Sequence, residues 1–295
     1  MSILTGKTAV ISGGAEGIGF AIGKAMGLQG MNIVLGDIDP DQLARAKQQL
    51  SELGISVAAV HMDVCLLEDW DKLAQAAVTE FGKVHMLVNN AGVGGAASSI
   101  EGSTEKDWRW VLDVNLMGVM HGTCTMVPRI KEHGEGGWII NVASMAGMVG
   151  VPFAGAYTAS KVAVVGMSES WQAELAPDNI QVSVLCPAFV RTRINLSQRN
   201  QQSNYQETTA GEEQVHDSLG MAKRMQDVID KGLDPDIVGA RVVEAVLAKE
   251  LYIFTHPNYR GVLQHRLKAI DEAFERAAAS PLLVDVLHEP IVNFS

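Results

Sequence analysis

Two groups of residues in this 295-residue chain have the types and spacing for chemistry. The first is Tyr157 with Lys161, four positions apart in a helical pattern and therefore stacked on one helix face. A phenol titrates near pH 10, so at neutrality it is a poor base. An ammonium held against it favours the phenolate. Lowering the phenol's pKa by roughly three takes about 4 kcal/mol of differential stabilisation, and burial acts against the shift. Lys161 therefore has to prevail by proximity. A Tyr–Lys pair of this spacing is common, so its meaning depends on its surroundings.

The second group is Ser12-Gly13-Gly14-Ala15-Glu16-Gly17-Ile18-Gly19, set between a first apolar run and an apolar helix pattern. Glycines there permit a tight turn and let backbone approach a pyrophosphate, while the helix start offers free N–H groups to negative charge. Asp37 closes the next apolar run. An acid at that place accepts hydrogen bonds from an adenosine ribose and repels a 2′-phosphate. Asp37-Ile38-Asp39-Pro40-Asp41 holds three carboxylates and no base, and Glu16 lies in the loop itself. The pattern favours NAD over NADP. Asp39, just ahead of Pro40, reads as a helix cap.

Positioning these groups requires a regular frame, and the chain alternates accordingly. Strand-like runs fall at Thr8–Ser12, Asn32–Asp37, Ser56–His61, Met86–Asn89, Trp138–Ala143, Gln181–Cys186 and Leu251–Thr255. Helical patterns fall at Gly17–Gln29, Asp41–Leu53, Glu68–Phe81, Lys106–His133, Tyr157–Leu175 and Asp236–Lys249. Strands this apolar are covered on both faces. The alternation predicts an α/β fold: a doubly wound (Rossmann), mostly parallel seven-stranded sheet with helices on both faces. Right-handed crossovers put all strand C-terminal ends on one edge, where a ligand sits. The residues closing the strands there are Ser12–Gly13, Asp37, Asp63, Asn89–Gly92, Ser144 and Pro187. No linker or repeat interrupts residues 1–295, read as a single domain. Residues 193–234 are polar, with a weak helical pattern at Val215–Ile229, and are expected to form a substrate lid. Residues 256–295 read as a C-terminal extension with a helix from Arg260 to Ala279.

Composition excludes several function classes. With 47% hydrophobic and 19% charged residues the chain buries a core. Its net charge of −11 argues against nucleic acid and membrane surfaces as partners. Cys65, Cys124 and Cys186 form no metal-ligand spacing and read as reduced thiols, so no metal and a cytoplasmic location are expected. The N-terminus shows no signal-peptide pattern. The charge-free stretch between Glu135 and Lys161 is broken by Asn141, Ser144, Gly147, Gly150, Pro152 and Gly155, so it reads as a strand and loop rather than a membrane span.

Taken in order, the glycine loop, Asp63-Val64, Asn89-Asn90-Ala91-Gly92, Asn115, Ser144, Tyr157-Thr158-Ala159-Ser160-Lys161 and Pro187 through Thr192 resemble the short-chain dehydrogenase/reductase family in its compact branch. The resemblance spans residues 7–192. It implies an enzyme moving a hydride between NAD and a secondary alcohol or ketone. By the same resemblance, Ser144 hydrogen-bonds the substrate oxygen and Tyr157 exchanges the proton. Lys161 also holds the nicotinamide ribose, and Asn115 kinks its helix and anchors a water joining Lys161 to solvent. Cofactor contacts are implied for Gly13, Glu16, Gly17, Ile18 and Gly19 in the loop, and for Asp37 and Ile38. Asp63 is implied to hold the adenine amino group with Val64 beside the ring. Asn90, Ala91 and Gly92 would pack along the adenosine side, followed by Pro187, Val190 and Thr192, the last on the carboxamide. Two departures stand out: Ser12 where threonine is frequent, and Ala188 where glycine is usual.

Met145, Met148, Val149, Pro152, Phe153 and Phe189 are candidate walls of a substrate pocket. They are apolar, and methionine adapts to irregular shapes. A charged substrate would need Arg191, Arg193, Lys223 or Arg224, so a bulky neutral or amphipathic substrate, such as an aromatic one, is expected. The chain's ending is similar to that of dehydrogenases for bulky aromatic alcohols, including lignin-derived ones. Relatives pair through their long fourth and fifth helices, which makes a homodimer or homotetramer the expectation. The alternatives are an NAD-binding sensor or scaffold without chemistry, and a lyase or epimerase. Intact Ser144, Tyr157 and Lys161 speak against the first. The absence of a larger sugar-nucleotide domain speaks against the second.

Overall fold

Each apolar run forms a strand, and the alternation along it decides which side of the sheet it feeds. In the computed structural model, which describes residues 2–206 and 226–291, the strands are β1 (Thr8–Ser12), β2 (Asn32–Asp37), β3 (Val57–His61), β4 (Met86–Asn89), β5 (Gly137–Val142), β6 (Ile180–Cys186) and β7 (Tyr252–Phe254). They form one sheet in the order β3-β2-β1-β4-β5-β6-β7, with every neighbouring pair parallel. Ala9 and Ile11 enter one apolar cluster with Ile33, Leu35, Ile22 and Val242. Val10, between them, enters the opposite cluster with Val34, Trp70 and Trp110. Period-two alternation therefore builds two cores, one on each face.

The helices are α1 (Gly17–Leu28), α2 (Pro40–Glu52), α3 (Leu67–Phe81), α4 (Glu105–Leu112), α5 (Gly118–Glu132), α6 (Gly155–Leu175), α7 (Pro235–Ala248) and α8 (Arg260–Ala278). Asp39 caps α2, its carboxylate accepting the Gln42 N–H at 3.0 Å. The expected helix Lys106–His133 is not continuous. It breaks into α4 and α5 around a π-helical turn, Asp113–Met117, with Asn115 at its centre. Such a turn opens the i→i−4 ladder and redirects side chains, which is why π-turns gather at functional sites.

Strand order reverses direction between β1 and β4, leaving a crevice outside their C-terminal ends. β3 ends at His61 and β5 at Val142, so Asp63 and Ser144 stand just past their strands rather than closing them. The chain divides into two compact units, Met1–Thr255 and His256–Ser295. The second is the segment expected as an extension of a single domain; it carries α8, none of whose residues is buried. Within the expected lid, residues 226–230 are helical. Lys223, Arg224 and most of the Val215–Ile229 pattern lie outside the described residues. No helix among the described residues is long and apolar enough to cross a membrane.

Candidate active site

The crevice begins with the glycine loop. Gly13 and Gly17 have positive φ, +62° and +56°, a region open to glycine at no steric cost. A Cβ at Gly19 would lie 2.2 Å from the Gly13 carbonyl oxygen, so only glycine lets α1 start folded against the turn. Ser12 supplies the next tie: its hydroxyl accepts the N–H groups of Asn90 and Ala91 at 3.1 and 3.2 Å. The Asn90 side-chain amide donates to the Ser12 and Gly13 carbonyls at 3.1 and 2.7 Å. The exits of β1 and β4 are locked together, and the serine, a departure from the family pattern, performs the locking.

Asp37 follows at the end of β2. Its carboxylate accepts the N–H of Ala15 at 3.0 Å and that of Asp39 at 3.1 Å. It is 9% exposed, and burial raises its pKa above the ordinary carboxylate value although these N–H groups oppose the change. A carboxylate is thus fixed against the glycine loop. Ile38 is half-buried beside it, and Ile18 packs onto the core below.

On the other side of the crevice four elements converge. Asn115, wholly buried in the π-turn, donates to the Val93 carbonyl at 2.9 Å and accepts the Val93 N–H at 2.8 Å. It also donates to the Ser160 hydroxyl at 3.3 Å, tying the loop after β4 to α6. A Cβ at Gly92 would meet Asn115 Oδ1 at 3.4 Å and Lys161 Nζ at 3.5 Å. Gly92, Asn115 and Lys161 therefore meet at one point. Ser144 is hydrogen-bonded to the Tyr157 phenol; its hydroxyl also accepts the Ala146 N–H at 3.1 Å and lies 3.5 Å from the Pro187 carbonyl.

Lys161 is 3% exposed and donates to the Val142 carbonyl at 2.8 Å. Its Nζ lies 5.6 Å from the centre of the Tyr157 ring. Burial pulls the ammonium down to about 8, and it in turn moderates the nearby Cys186 thiol, which burial holds up at about 12. Burial also raises the Tyr157 phenol, with the Ser144 hydroxyl acting the other way. The dominance expected of Lys161 over burial is thus not present in this arrangement: the ammonium is directed at a backbone carbonyl, and burial sets the sense of the phenol's shift.

The candidate substrate walls separate by exposure. Met148 and Phe189 are half-buried and Phe153 is 53% exposed, whereas Met145 is nearly enclosed at 7%. Phe153 adopts φ +62°, strained for a bulky side chain, and its carbonyl accepts the Ser98 N–H at 3.0 Å. Phe189 and Arg191 are anchored on Leu233 by backbone hydrogen bonds of 2.9 Å. The two ends of the expected lid are therefore joined at the sheet edge.

The first part of that segment, residues 193–206, crosses the crevice as a strap. Arg193 and Arg199 both pair with Glu16, the Arg193 Nε donating at 2.6 Å. The Ser197 hydroxyl accepts the Gly94 N–H at 3.1 Å. Gln202 donates to one Asp63 carboxylate oxygen at 2.6 Å, while the other accepts the Cys65 N–H at 2.9 Å. Tyr205 donates to Asp113 at 2.7 Å. Arg193 and Arg191, considered above for a charged substrate, are thus engaged with Glu16 and Asp234. The roles of Arg199, Ser197 and Gln202 escaped the sequence. A signal existed for Arg199 alone: Glu16, an acid in an anion-binding loop, requires a counter-charge.

Several of the residues expected to contact the cofactor are also packed into the fold. Val64, 8% exposed, would press on a side chain at Gly118. Val190 is buried and bridges Leu233, and Pro187 is buried beneath Met145 N–H. Thr192 faces the glycine loop, its methyl 3.1 Å from a Cβ placed at Gly17. There a cavity of about 400 Å³ opens between Glu16, Gly17, Phe20, Thr192, Arg193 and Asp230.

Among the described residues one cluster has the composition of a metal site: His85, His133 and Glu135. It lies where β4 begins, away from the crevice. His85 Nδ1 accepts the Thr8 N–H at 3.1 Å, which leaves its proton on Nε2, toward Glu135 at 3.3 Å. His133 Nδ1 accepts the Glu135 N–H at 3.2 Å, with Nε2 facing the Val84 carbonyl at 2.7 Å. Both ring lone pairs are occupied, and Lys7 and Lys83 neutralise the carboxylate. This is a hydrogen-bonded clasp, not a ligand set.

Residues 7–203 match the family model for short chain dehydrogenases. The chain is 30% identical over 275 residues to a C alpha-dehydrogenase of Sphingobium sp. (strain SYK-6), covering 93% of this chain and 88% of that protein. It is 40% identical over 189 residues to a 3-alpha-(or 20-beta)-hydroxysteroid dehydrogenase of Mycobacterium tuberculosis, covering 64% of this chain and 71% of that protein. Among solved structures, a short chain dehydrogenase/reductase from Burkholderia phymatum in complex with NAD superposes with a TM-score of 0.86 at 33% identity, over 100% of both chains.

Proposed function

The chain belongs to the short-chain dehydrogenase/reductase family, and we propose that it is an NAD-dependent oxidoreductase acting on a bulky secondary alcohol or ketone, with Tyr157 as the proton carrier. The observation that carries this reading is the meeting of Gly92, Asn115, Ser144, Tyr157 and Lys161 beside a glycine loop and a buried acid.

The donor set fits NAD. Asp37 would take the ribose hydroxyls of the adenosine half, the α1 N-terminus the pyrophosphate, and Lys161 with Thr192 the nicotinamide half. Bound NAD supplies the hydride acceptor and a positive ring whose field opposes the effect of burial on the phenol. The protein supplies the rest. Ser144 orients the substrate oxygen and donates to it as negative charge develops. The Tyr157 phenolate takes the hydroxyl proton in oxidation, and the phenol returns one to the carbonyl in reduction. Lys161 keeps the phenolate accessible by its charge, and Asn115 fixes the backbone that shapes the Lys161 pocket.

The absence of a base between Ser144 and Tyr157, and the apolar Met148, Phe153 and Phe189 around the opening, support a neutral, bulky substrate. A relative named for hydroxysteroids agrees with that size and polarity. The test is a panel of secondary alcohols with NAD or NADP, following the absorbance of reduced cofactor. Turnover of steroidal or benzylic alcohols with NAD is expected. Preference for NADP, or for a short hydroxy acid, would contradict the reading.

A further inference from the structure

α8 is amphipathic, yet none of its residues is buried. Leu267, Ile270 and Phe274 are 53%, 41% and 72% exposed. Leu263, Leu267, Ile270, Phe274 and Ala277 recur at alternating spacings of four and three, the seam of a coiled coil. Leu267 and Phe274 take the a positions, and Leu263, Ile270 and Ala277 the d positions. The positions flanking the seam are then Gln264 and Asp271 at e, and Arg266 and Ala273 at g.

Charge distinguishes this seam from a generic apolar face. On the outer surface, Lys268 pairs with Glu272 of the same helix at 3.7 Å. Arg266 and Asp271, beside the seam, form no ion pair among the described residues. In a parallel coil a g residue faces the e residue five positions further along the other helix. Arg266 of each copy then faces Asp271 of the other, two ion pairs related by a two-fold axis along the coil. In an antiparallel pair, Arg266 would face Ala273 and both charges would stay unpaired.

We propose that α8 pairs in parallel with α8 of a second copy of this chain. α8 is a different element from the long helices through which family members pair, so its pairing joins protomers that those helices leave apart. Leu267 at a beneath Ile270 at d also admits more than two parallel strands; in either case each helix faces its own copy in the same register.

A parallel seam brings identical d residues together across the axis, within disulfide reach. In full-length protein carrying Cys124→Ser, to remove the exposed native thiol, Ile270→Cys is expected to cross-link into a covalent dimer in most of the sample on mild oxidation. Glu272→Cys, on the outer face, is expected to cross-link at least tenfold less. Leu267→Glu combined with Phe274→Glu should at least halve the assembly mass measured by light scattering, with the far-ultraviolet dichroism of a folded protein retained. Arg266→Asp should weaken assembly several-fold, and adding Asp271→Arg should restore it. Equal cross-linking at positions 270 and 272, none at 270, or an unchanged mass in the double glutamate variant would overturn the proposal.

Discussion

Lys161 is a buried amine whose nearest polar partner is the Val142 carbonyl, 2.8 Å away. That bond orients the chain, while burial draws the ammonium down to about 8. At neutral pH the group remains mostly charged, and it begins to lose its charge in mildly alkaline solution. Tyr157 is shifted upward by the same burial. On the proposed mechanism alcohol oxidation uses the Tyr157 phenolate, so kcat/KM is expected to rise with pH until Tyr157 is ionised. Lys161→Ala removes the positive neighbour and should lower kcat/KM at pH 7 by about 100-fold or more, a loss of roughly 3 kcal/mol. Its ascending limb should move to higher pH. A pH–rate profile of both proteins checks this, and an unmoved limb would show that Lys161 does not act on the phenol. The Tyr157–Lys161 pair was legible in the sequence because helical spacing alone places both on one face. The balance of their pKa values was not, because burial and the Val142 partner exist only in the fold.

Elements read cleanly from the sequence where a single pattern ran through them. β1 and β2 are continuous apolar runs because both faces are covered, and Asp39-Pro40 marks the start of α2 by its cap. The break between α4 and α5 was hidden, since one π-turn at Asn115 leaves the apolar periodicity on either side nearly intact. The strap at residues 193–206 was harder still. Arg193, Arg199 and Gln202 belong to no periodic pattern, and their partners Glu16 and Asp63 lie far away in the chain. The Gln202 amide holds the Asp63 carboxylate; on the proposal that this carboxylate receives the adenine amino group, the strap and the cofactor would compete for it. Gln202→Ala should therefore tighten NAD binding about three- to tenfold, the size of one hydrogen bond to a charged group set against the cost of loosening the strap. Fluorescence titration with NAD checks it; weaker binding would instead make Gln202 a cofactor contact.

At the scale of the molecule, the sheet has a chemical edge and a structural one. The His85–His133–Glu135 clasp closes the structural edge, joining the starts of β1 and β4 to the turn before β5. Burial, first, and the neighbouring Lys7 and His133 hold His85 down at about 4, against an ordinary value of 6.5. A histidine depressed in the fold takes up protons more readily when unfolded. Its contribution is therefore complete above about pH 6.5 and is lost as pH falls toward 4. Hydrogen bonds from Lys83 and Lys7 hold Glu135 at about 2, so its contribution is present above about pH 4.5 and is lost only in stronger acid. Thermal unfolding should show Tm falling between pH 6.5 and 4.5. His85→Asn, which keeps an acceptor for the Thr8 N–H, should flatten that slope. An unchanged slope would place the acid sensitivity elsewhere.

The central claim is that Tyr157 carries the proton in a reaction run at the crevice between β1 and β4. It is tested most directly by the single-turnover rate of NAD reduction with a bulky secondary alcohol, comparing the parent enzyme with Tyr157→Phe at saturating NAD. A ring without a hydroxyl preserves the packing of α6 and should bind NAD with an affinity within a few-fold of the parent. The hydride-transfer rate should fall by at least about 1,000-fold, near 4 kcal/mol of lost transition-state stabilisation. A Tyr157→Phe enzyme that binds NAD and reduces it within tenfold of the parent rate would contradict the account.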